Sequence, residues 1–114
     1  MEYKKTKWLG QTLEDLKTFP DEVRQHIGYA LYQAQLGLTH EDAKPLKGFK
    51  PMVWEIASRH RGNAYRAIYT VVINDVVYIL HLFQKKSTRG IATPKKEIDI
   101  IKKRLQLLLA ARKE

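Results

Sequence analysis

Tyr65-Arg66-Ala67-Ile68-Tyr69-Thr70-Val71-Val72-Ile73-Asn74-Asp75-Val76-Val77-Tyr78-Ile79-Leu80-His81-Leu82-Phe83-Gln84-Lys85-Lys86 is the stretch that decides the fold. Two runs rich in β-branched and aromatic residues flank Asn74-Asp75, and Asn and Asp tolerate the positive φ of a two-residue hairpin turn. Residues 65–73 and 76–86 therefore read as antiparallel strands with Ile73 opposite Val76. Side chains alternate with a period of two, so counting from that pair assigns both faces. Arg66 then opposes Phe83, Ile68 opposes His81, and Ala64 opposes Lys85. One face carries Arg66, Ile68, His81, Phe83 and Lys85. The other carries Tyr65, Tyr69, Val71, Tyr78, Leu80, Leu82 and Lys86. The second face is the more apolar and is expected to pack on helices. The polar groups of the first gather at the end of the hairpin far from its turn.

Working outward, Val53 to Arg59 reads as a third strand, joined to the hairpin by a loop at 59–63. Before Gly48 the period is helical. Thr12 followed by Glu14 and Asp15 suits an N-cap with acidic residues in the first turn, giving a short helix at 12–18. Pro20 suits the first position of a second helix. There Val23, Ile27, Ala30, Leu31 and Ala34 recur at helical spacing, and Gly37 is the stop. Tyr3–Trp8 has the composition of a further strand. After Gly90 to Ala92, Thr93 and Pro94 open a last helix with an apolar stripe of Ile98, Ile101, Leu105 and Leu108, and Arg112-Lys113 near its end complement the dipole. The expected class is α+β: two N-terminal helices packed on a small antiparallel sheet of three strands, with a C-terminal helix.

With 114 residues, 44% of them hydrophobic, the chain is expected to form a single domain spanning 1–114. Its formal charge of +9 calls for a polyanionic partner, because each cation set against a phosphate releases a condensed counterion. The absence of cysteine excludes disulfides, thiolate catalysis and cysteine-built zinc sites. The start MEYKKTKWLG has no apolar region of a signal peptide, and no apolar run approaches the roughly 20 residues of a membrane span. A cytoplasmic protein with no membrane partner is expected.

The cations are unevenly spread. Lys44, Lys47 and Lys50 precede the sheet, Arg59, His60 and Arg61 fill the loop, and Arg66, Lys85, Lys86 and Arg89 follow. This spacing fits a basic concavity bounded by the sheet and the loop at 59–63. Cleavage of RNA by its own 2′-hydroxyl requires that hydroxyl to lose a proton, the phosphorane charge to be stabilised, and the leaving 5′-oxygen to gain a proton. Arginine suits the second task, being always charged and forked toward phosphate oxygens. Histidine suits proton transfer, and lysine either task. Arg66, His81, Lys85 and Lys86, with His60 on the loop, supply those groups; Lys47, Lys50, Arg59, Arg61 and Arg89 supply phosphate contacts. Each feature also has a plainer reading: a solvated surface cation, a hydrogen-bonded His81 packed between Leu80 and Leu82, a salt bridge from Glu55 to a neighbouring arginine. Trp8, Trp54 and the tyrosines read as core, with Trp54 or Tyr65 able to stack on a base where exposed. His26 and His40 fall in the helical half with no partner in view. No Gly-rich phosphate loop, metal-ligand spacing or nucleophile elbow is present.

Lys44-Pro45-Leu46-Lys47-Gly48, Val53-Trp54-Glu55-Ile56, Tyr65-Arg66-Ala67-Ile68-Tyr69 and Leu80-His81-Leu82-Phe83-Gln84-Lys85-Lys86, followed by Thr93-Pro94 and a helix, together resemble the phage-derived HigB-like branch of the RelE/ParE toxin superfamily. Trp8-Leu9-Gly10 through Phe19-Pro20 is similar as well, so the resemblance spans nearly the whole chain. It implies the RelE-like fold and a type II toxin, a ribosome-dependent, metal-free messenger RNA endoribonuclease without cofactors. The implied partners are the ribosome and its message, and a cognate antitoxin with a helix-turn-helix, in an assembly that extends to a heterotetramer. Arg66 matches the family's arginine at the start of the Tyr-Arg strand, and Lys86 its basic residue closing the last strand. Members of the RelE type carry lysines on the preceding strand, where this chain has Val53-Trp54-Glu55, so the base falls to His60, His81 or Lys85. The tyrosine that some members carry after the last strand has no counterpart beyond Lys86. Two alternatives share the charge or the fold: a ParE-type gyrase poison and a non-catalytic nucleic-acid-binding module.

Overall fold

The computed structural model describes residues 3–72, 76–85 and 92–111. Among the described residues five strands and three helices follow one another: β1 (Thr6–Trp8), α1 (Thr12–Lys17), α2 (Asp21–Gln35), β2 (Ala43–Leu46), β3 (Val53–His60), β4 (Asn63–Val72), β5 (Val76–Lys85) and α3 (Lys95–Ala111). The class is α+β, as the alternating and helical periods require. The strands form one sheet in the order β1-β5-β4-β3-β2. Beside the three strands expected at its centre it holds β1, within the strand expected at Tyr3–Trp8, and β2, which was not expected; it is mixed, because β1 runs parallel to β5. β2, lost in sequence among the lysines, pairs antiparallel with β3 through Ala43↔Ile56 and Leu46↔Val53. Pro45 within it is tolerated because β2 is an edge strand with one side unpaired.

The helix boundaries differ from expectation in informative ways. Thr12 is not a cap: it lies inside the first turn of α1, fully buried, behind Gln11. Pro20 sits one position earlier than expected, as the cap of α2. α2 stops where Gly37 adopts φ +83°, and the Gly37 and Leu38 amides donate to Ala34 and Gln33 carbonyls. That is a Schellman closure, which needs a residue free to turn left-handed. Arg112-Lys113 lie outside the described residues.

The hairpin register was expected to follow from a turn at Asn74-Asp75, which also lies outside the described residues. Val76 is opposed by Val72 rather than Ile73. The one-residue offset persists to Tyr69↔Ile79, then a bulge between Ile68 and Tyr69 absorbs it, with Leu80 as the extra residue on β5. Beyond the bulge Ile68↔His81, Arg66↔Phe83 and Ala64↔Lys85 pair as counted. The offset and the bulge cancel at the polar end. They do not cancel near the turn, where Val77 and Ile79 face α2, while Leu80 packs against α3 and Tyr78 lines a groove with it. Tyr78 and Leu80 thus lie on the face opposite to the one expected.

Both sheet faces are covered, which explains why β4 and β5 read as near-continuous apolar runs. On one side α2 buries Val23, Ile27, Ala30, Leu31 and Ala34 against Ile56, Tyr65, Ala67, Tyr69 and Leu82. On the other, Ile101 and Leu105 of α3 meet Val53, Ile68, Leu80 and Phe83. Trp54 is packed at the margin of the first core and Tyr65 is buried within it, so neither ring is set out for a base. Among the described residues no helix is long and apolar enough to cross a membrane.

Burial pushes the Tyr69 hydroxyl up to about 12 from its ordinary 10.0. The folded state therefore holds this proton more tightly than the unfolded chain does. The stability it contributes is complete below pH 10 and is lost as pH rises from 10 toward about 12. Tyr69→Phe removes the proton, so chemical denaturation of wild type and variant followed from pH 8 to 12 should show a shallower alkaline loss in the variant. Parallel curves would exclude Tyr69 as the cause.

Candidate active site

Antiparallel pairing sets Arg66 at the centre of the sheet face that α3 covers. Phe83 is its direct cross-strand partner on β5, and His81 and Lys85 are the two diagonal ones. Ala57 is its partner on β3, with Glu55 diagonal on the same face. Arg66 is 5% exposed, and its guanidinium donates from Nη1 to Glu55 Oε1 at 3.1 Å. Thr93, ahead of α3, donates its hydroxyl to Glu55 Oε2 at 2.7 Å rather than capping the helix. The salt bridge expected of Glu55 is thus made to Arg66 itself.

His81, 8% exposed, is held from both sides by α3. Arg104 Nη1 donates to Leu80 O at 2.7 Å and lies 3.4 Å from His81 Nδ1, while His81 Nε2 is 2.7 Å from Glu97 Oε1. Arginine only donates, so Nδ1 is the acceptor and the proton sits on Nε2, directed at Glu97. The ring lies nearly parallel to Phe83 at 5.3 Å. Lys85 Nζ donates to Ala92 O at 2.8 Å. Residues 92–97 therefore meet His81 and Lys85 directly and Arg66 through Glu55.

The basic concavity is smaller than the charge spacing suggested. The expected loop at 59–63 is a two-residue turn, Arg61-Gly62, with φ of +50° and +81°, and His60↔Asn63 is the closing pair. Arg59 and His60 are consecutive strand residues and so face opposite ways. Arg59 is exposed in the row of Ala64 and Lys85, beside Arg66. His60 turns to the α2 side, its Nδ1 3.6 Å from Glu22 Oε2. Arg61 is exposed at the hairpin tip. Lys47 and Lys50 are exposed in the β2–β3 connection, and Lys50 lines a shallow groove with Phe49 and Lys102 of α3. Lys86 and Arg89 lie outside the described residues. Arg66, His81, Lys85 and Arg59 come together; His60 does not join them.

Sequence reasoning missed the contribution of α3. Glu97 and Arg104 stand one turn before and just after Ile101, on the stripe that faces the sheet. A charge placed on a buried stripe must find a partner, and that was the available signal. Arg104 also explains Gly10, whose φ is +58° and where a Cβ would stand 2.8 Å from Arg104 Nη2. Gly10→Ala is expected to displace the guanidinium from Leu80 O and cost about 1–2 kcal/mol from the left-handed backbone alone. Thermal melting with NMR of the His81 ring nitrogens checks this; an unchanged ring environment would show that Arg104 is not what holds it.

The comparisons with known proteins agree with this architecture. The profile of the phage derived protein Gp49-like family, DUF891, matches residues 14–106. Among curated proteins no sequence matches the chain. Among solved structures the chain is similar to a double arginine-to-alanine mutant of the Escherichia coli toxin RelE in the free state, with a TM-score of 0.59 and 18% identity over 93% of this chain and 97% of that one. That likeness concerns the fold. The chain belongs to the phage-derived Gp49-like family and is built on the RelE-like fold.

Proposed function

We propose that the chain is a single-domain toxin of a type II toxin–antitoxin pair that cleaves messenger RNA on the ribosome. The observation that carries the reading is the buried arginine at the centre of a sheet face, flanked diagonally by His81 and Lys85 and edged by Arg59. Arg66 holds a carboxylate, Glu55, in the way it would hold a phosphate oxygen. A scissile phosphate that displaces Glu55 meets a donor fork already positioned by the strands. The 2′-oxygen loses its proton and attacks phosphorus, Arg66 stabilises the phosphorane, and the 5′-oxygen leaves as it gains a proton, giving a 2′,3′-cyclic phosphate and a 5′-hydroxyl. His81 suits the acid once it takes up a second proton and becomes an imidazolium. Lys85 is the base consistent with this placement, because His60 is on the far side of the sheet. Arg59, Arg61, Lys47, Lys50 and, beyond the described residues, Lys86 and Arg89 are assigned to charge neutralisation along the message. The ribosome, a helix-turn-helix antitoxin, a toxin–antitoxin heterotetramer and a cytoplasmic setting belong to the same reading.

One observation favours a second reading. Glu55 neutralises Arg66, as a fold that has given up ribonuclease chemistry for gyrase poisoning allows. Brief, tightly controlled induction in bacteria with messenger RNA ends mapped by primer extension separates the two. New 5′ ends inside translated frames, absent when translation is blocked, support the ribonuclease. Growth arrest with DNA damage and no such ends moves the protein to the gyrase-poison branch, and binding without either outcome makes it a plain nucleic-acid module.

A further inference from the structure

On the face of the sheet away from Arg66, a side chain of α2 and two from the chain ahead of β2 converge. His26 projects from α2, and His40 and Asp42 come from the connection leading into β2. One ligand atom from each lies within 4.8 Å of the other two. His26 Nε2 is 2.7 Å from Asp42 Oδ2, and His40 Nδ1 is 3.8 Å from the same oxygen. Ligand atoms on a tetrahedral zinc ion at 2.0–2.1 Å stand about 3.3 Å apart, so these separations bracket that edge. The group is half-buried, and the edge of the Tyr29 ring meets His40 at 5.7 Å between ring centres.

The surroundings of His26 fit a metal ligand. Its other nitrogen, Nδ1, is 2.7 Å from the Ser58 hydroxyl, and Ser58 is 3% exposed in β3. A histidine that binds metal through one nitrogen gives its remaining N–H to an acceptor that fixes ring and tautomer. Ser58 Oγ stands in that place. The same serine, histidine and aspartate do not make a hydrolase, because the hydroxyl is enclosed under α2.

From this geometry we propose that His26, His40 and Asp42 form a zinc site that clasps edge strand β2 to α2. On binding, the His26 ring proton resides on Nδ1 and is donated to Ser58 Oγ, freeing Nε2 for the ion. His40 Nδ1 gives up the hydrogen bond it accepts from the Asp42 amide at 2.9 Å. Asp42 supplies a carboxylate oxygen, and water completes the coordination. Two imidazoles and one carboxylate favour zinc or another late divalent transition ion over magnesium or calcium. The site plays no part in phosphoryl chemistry at Arg66.

The test uses the untagged full chain stripped with chelator. Titration with zinc chloride should saturate at one equivalent, and thermal melting at zinc a hundredfold above Kd should rise on the order of 10 °C. Cobalt should give the strong visible absorption of a four-coordinate site. Asp42→Asn and His26→Gln keep the size and hydrogen-bonding capacity of the native side chains, so they should fold, lose the cobalt band and lose the thermal shift. His81→Gln, on the other face, should keep both. Magnesium should do nothing. Absence of the band and of the shift in wild type, or their survival in both site variants, would overturn the proposal, whether or not the chain cleaves RNA.

Discussion

Arg66→Ala should abolish cleavage, lowering the rate by about 10²–10³-fold, the usual consequence of removing one preorganised donor to a developing oxyanion. The substitution has a second effect that must be kept apart from the first. Arg66 is buried in an ion pair with Glu55, and deleting one partner of a buried pair typically costs about 3–5 kcal/mol because the other charge is left uncompensated. The single variant is thus expected to be both inactive and destabilised, and loss of toxicity alone would say little. Glu55→Gln/Arg66→Ala removes the stranded charge while Thr93 can still bond the amide, so it should recover most of the melting temperature and remain inactive. Glu55→Gln alone leaves the guanidinium in place without its resident carboxylate. If phosphate competes with Glu55 for Arg66, this variant should cleave at least as fast as wild type. The readout is primer extension on purified ribosomes programmed with a defined message, beside thermal melts of every variant. Full toxicity of a folded double variant would remove Arg66 from the chemistry and leave the gyrase-poison reading in its place.

How much of this was open to inspection in the sequence depends on the range of the interactions. The hairpin was legible because alternation is local and both runs are long. Its polar end was placed correctly, with Arg66 opposite Phe83 and Ile68 opposite His81. A bulge cannot be read from alternation alone, and Leu80 shows the cost: its placement inverted while that of His81 held. β2 was missed because four residues containing Lys44 and Pro45 carry no periodic signal, and only pairing with β3 makes them a strand. The imagined loop at 59–63 failed for a related reason. Gly62 permits a two-residue turn at positive φ, and a tight turn sends Arg59 and His60 to opposite faces. The candidate site was half legible. Strand register alone brings Arg66, His81, Lys85 and Glu55 together, but Thr93, Glu97 and Arg104 reach them through the docking of α3 and the residues ahead of it, with 38 positions separating Thr93 from Glu55. His26 lacked a visible partner for the same reason, since Ser58 lies 32 residues from it and Asp42 lies 16.

The stability of the fold should rest far more on the α2 face than charge or helix length suggests, and Ile27→Ala tests it. Ile27 is fully buried at the middle of α2, against the sheet face carrying Ile56, Tyr69 and Leu82. Truncating a buried isoleucine forfeits the transfer free energy of its lost carbons and leaves a cavity, together about 2–5 kcal/mol. For a chain of this size that lowers the melting temperature by roughly 10–20 °C. Leu107→Ala on α3 removes as large a side chain from a position 61% exposed and should stay within about 0.5 kcal/mol of wild type. The contrast matters because α3, 17 residues long against 15 for α2, has an equally apolar stripe in sequence yet buries only Ile101 and Leu105 fully, whereas α2 buries five side chains. A helix anchored by two residues and a few polar bonds at its start can be disturbed locally. A helix anchored by five cannot be loosened without unfolding the sheet that positions Arg66. Calorimetry with hydrogen exchange therefore decides the point: Ile27→Ala should lower protection throughout β3, β4 and β5 together. Loss confined to α2, with the strands unchanged, would mean that the sheet and α3 form a stable unit without it, and the two cores would have to be treated as independent.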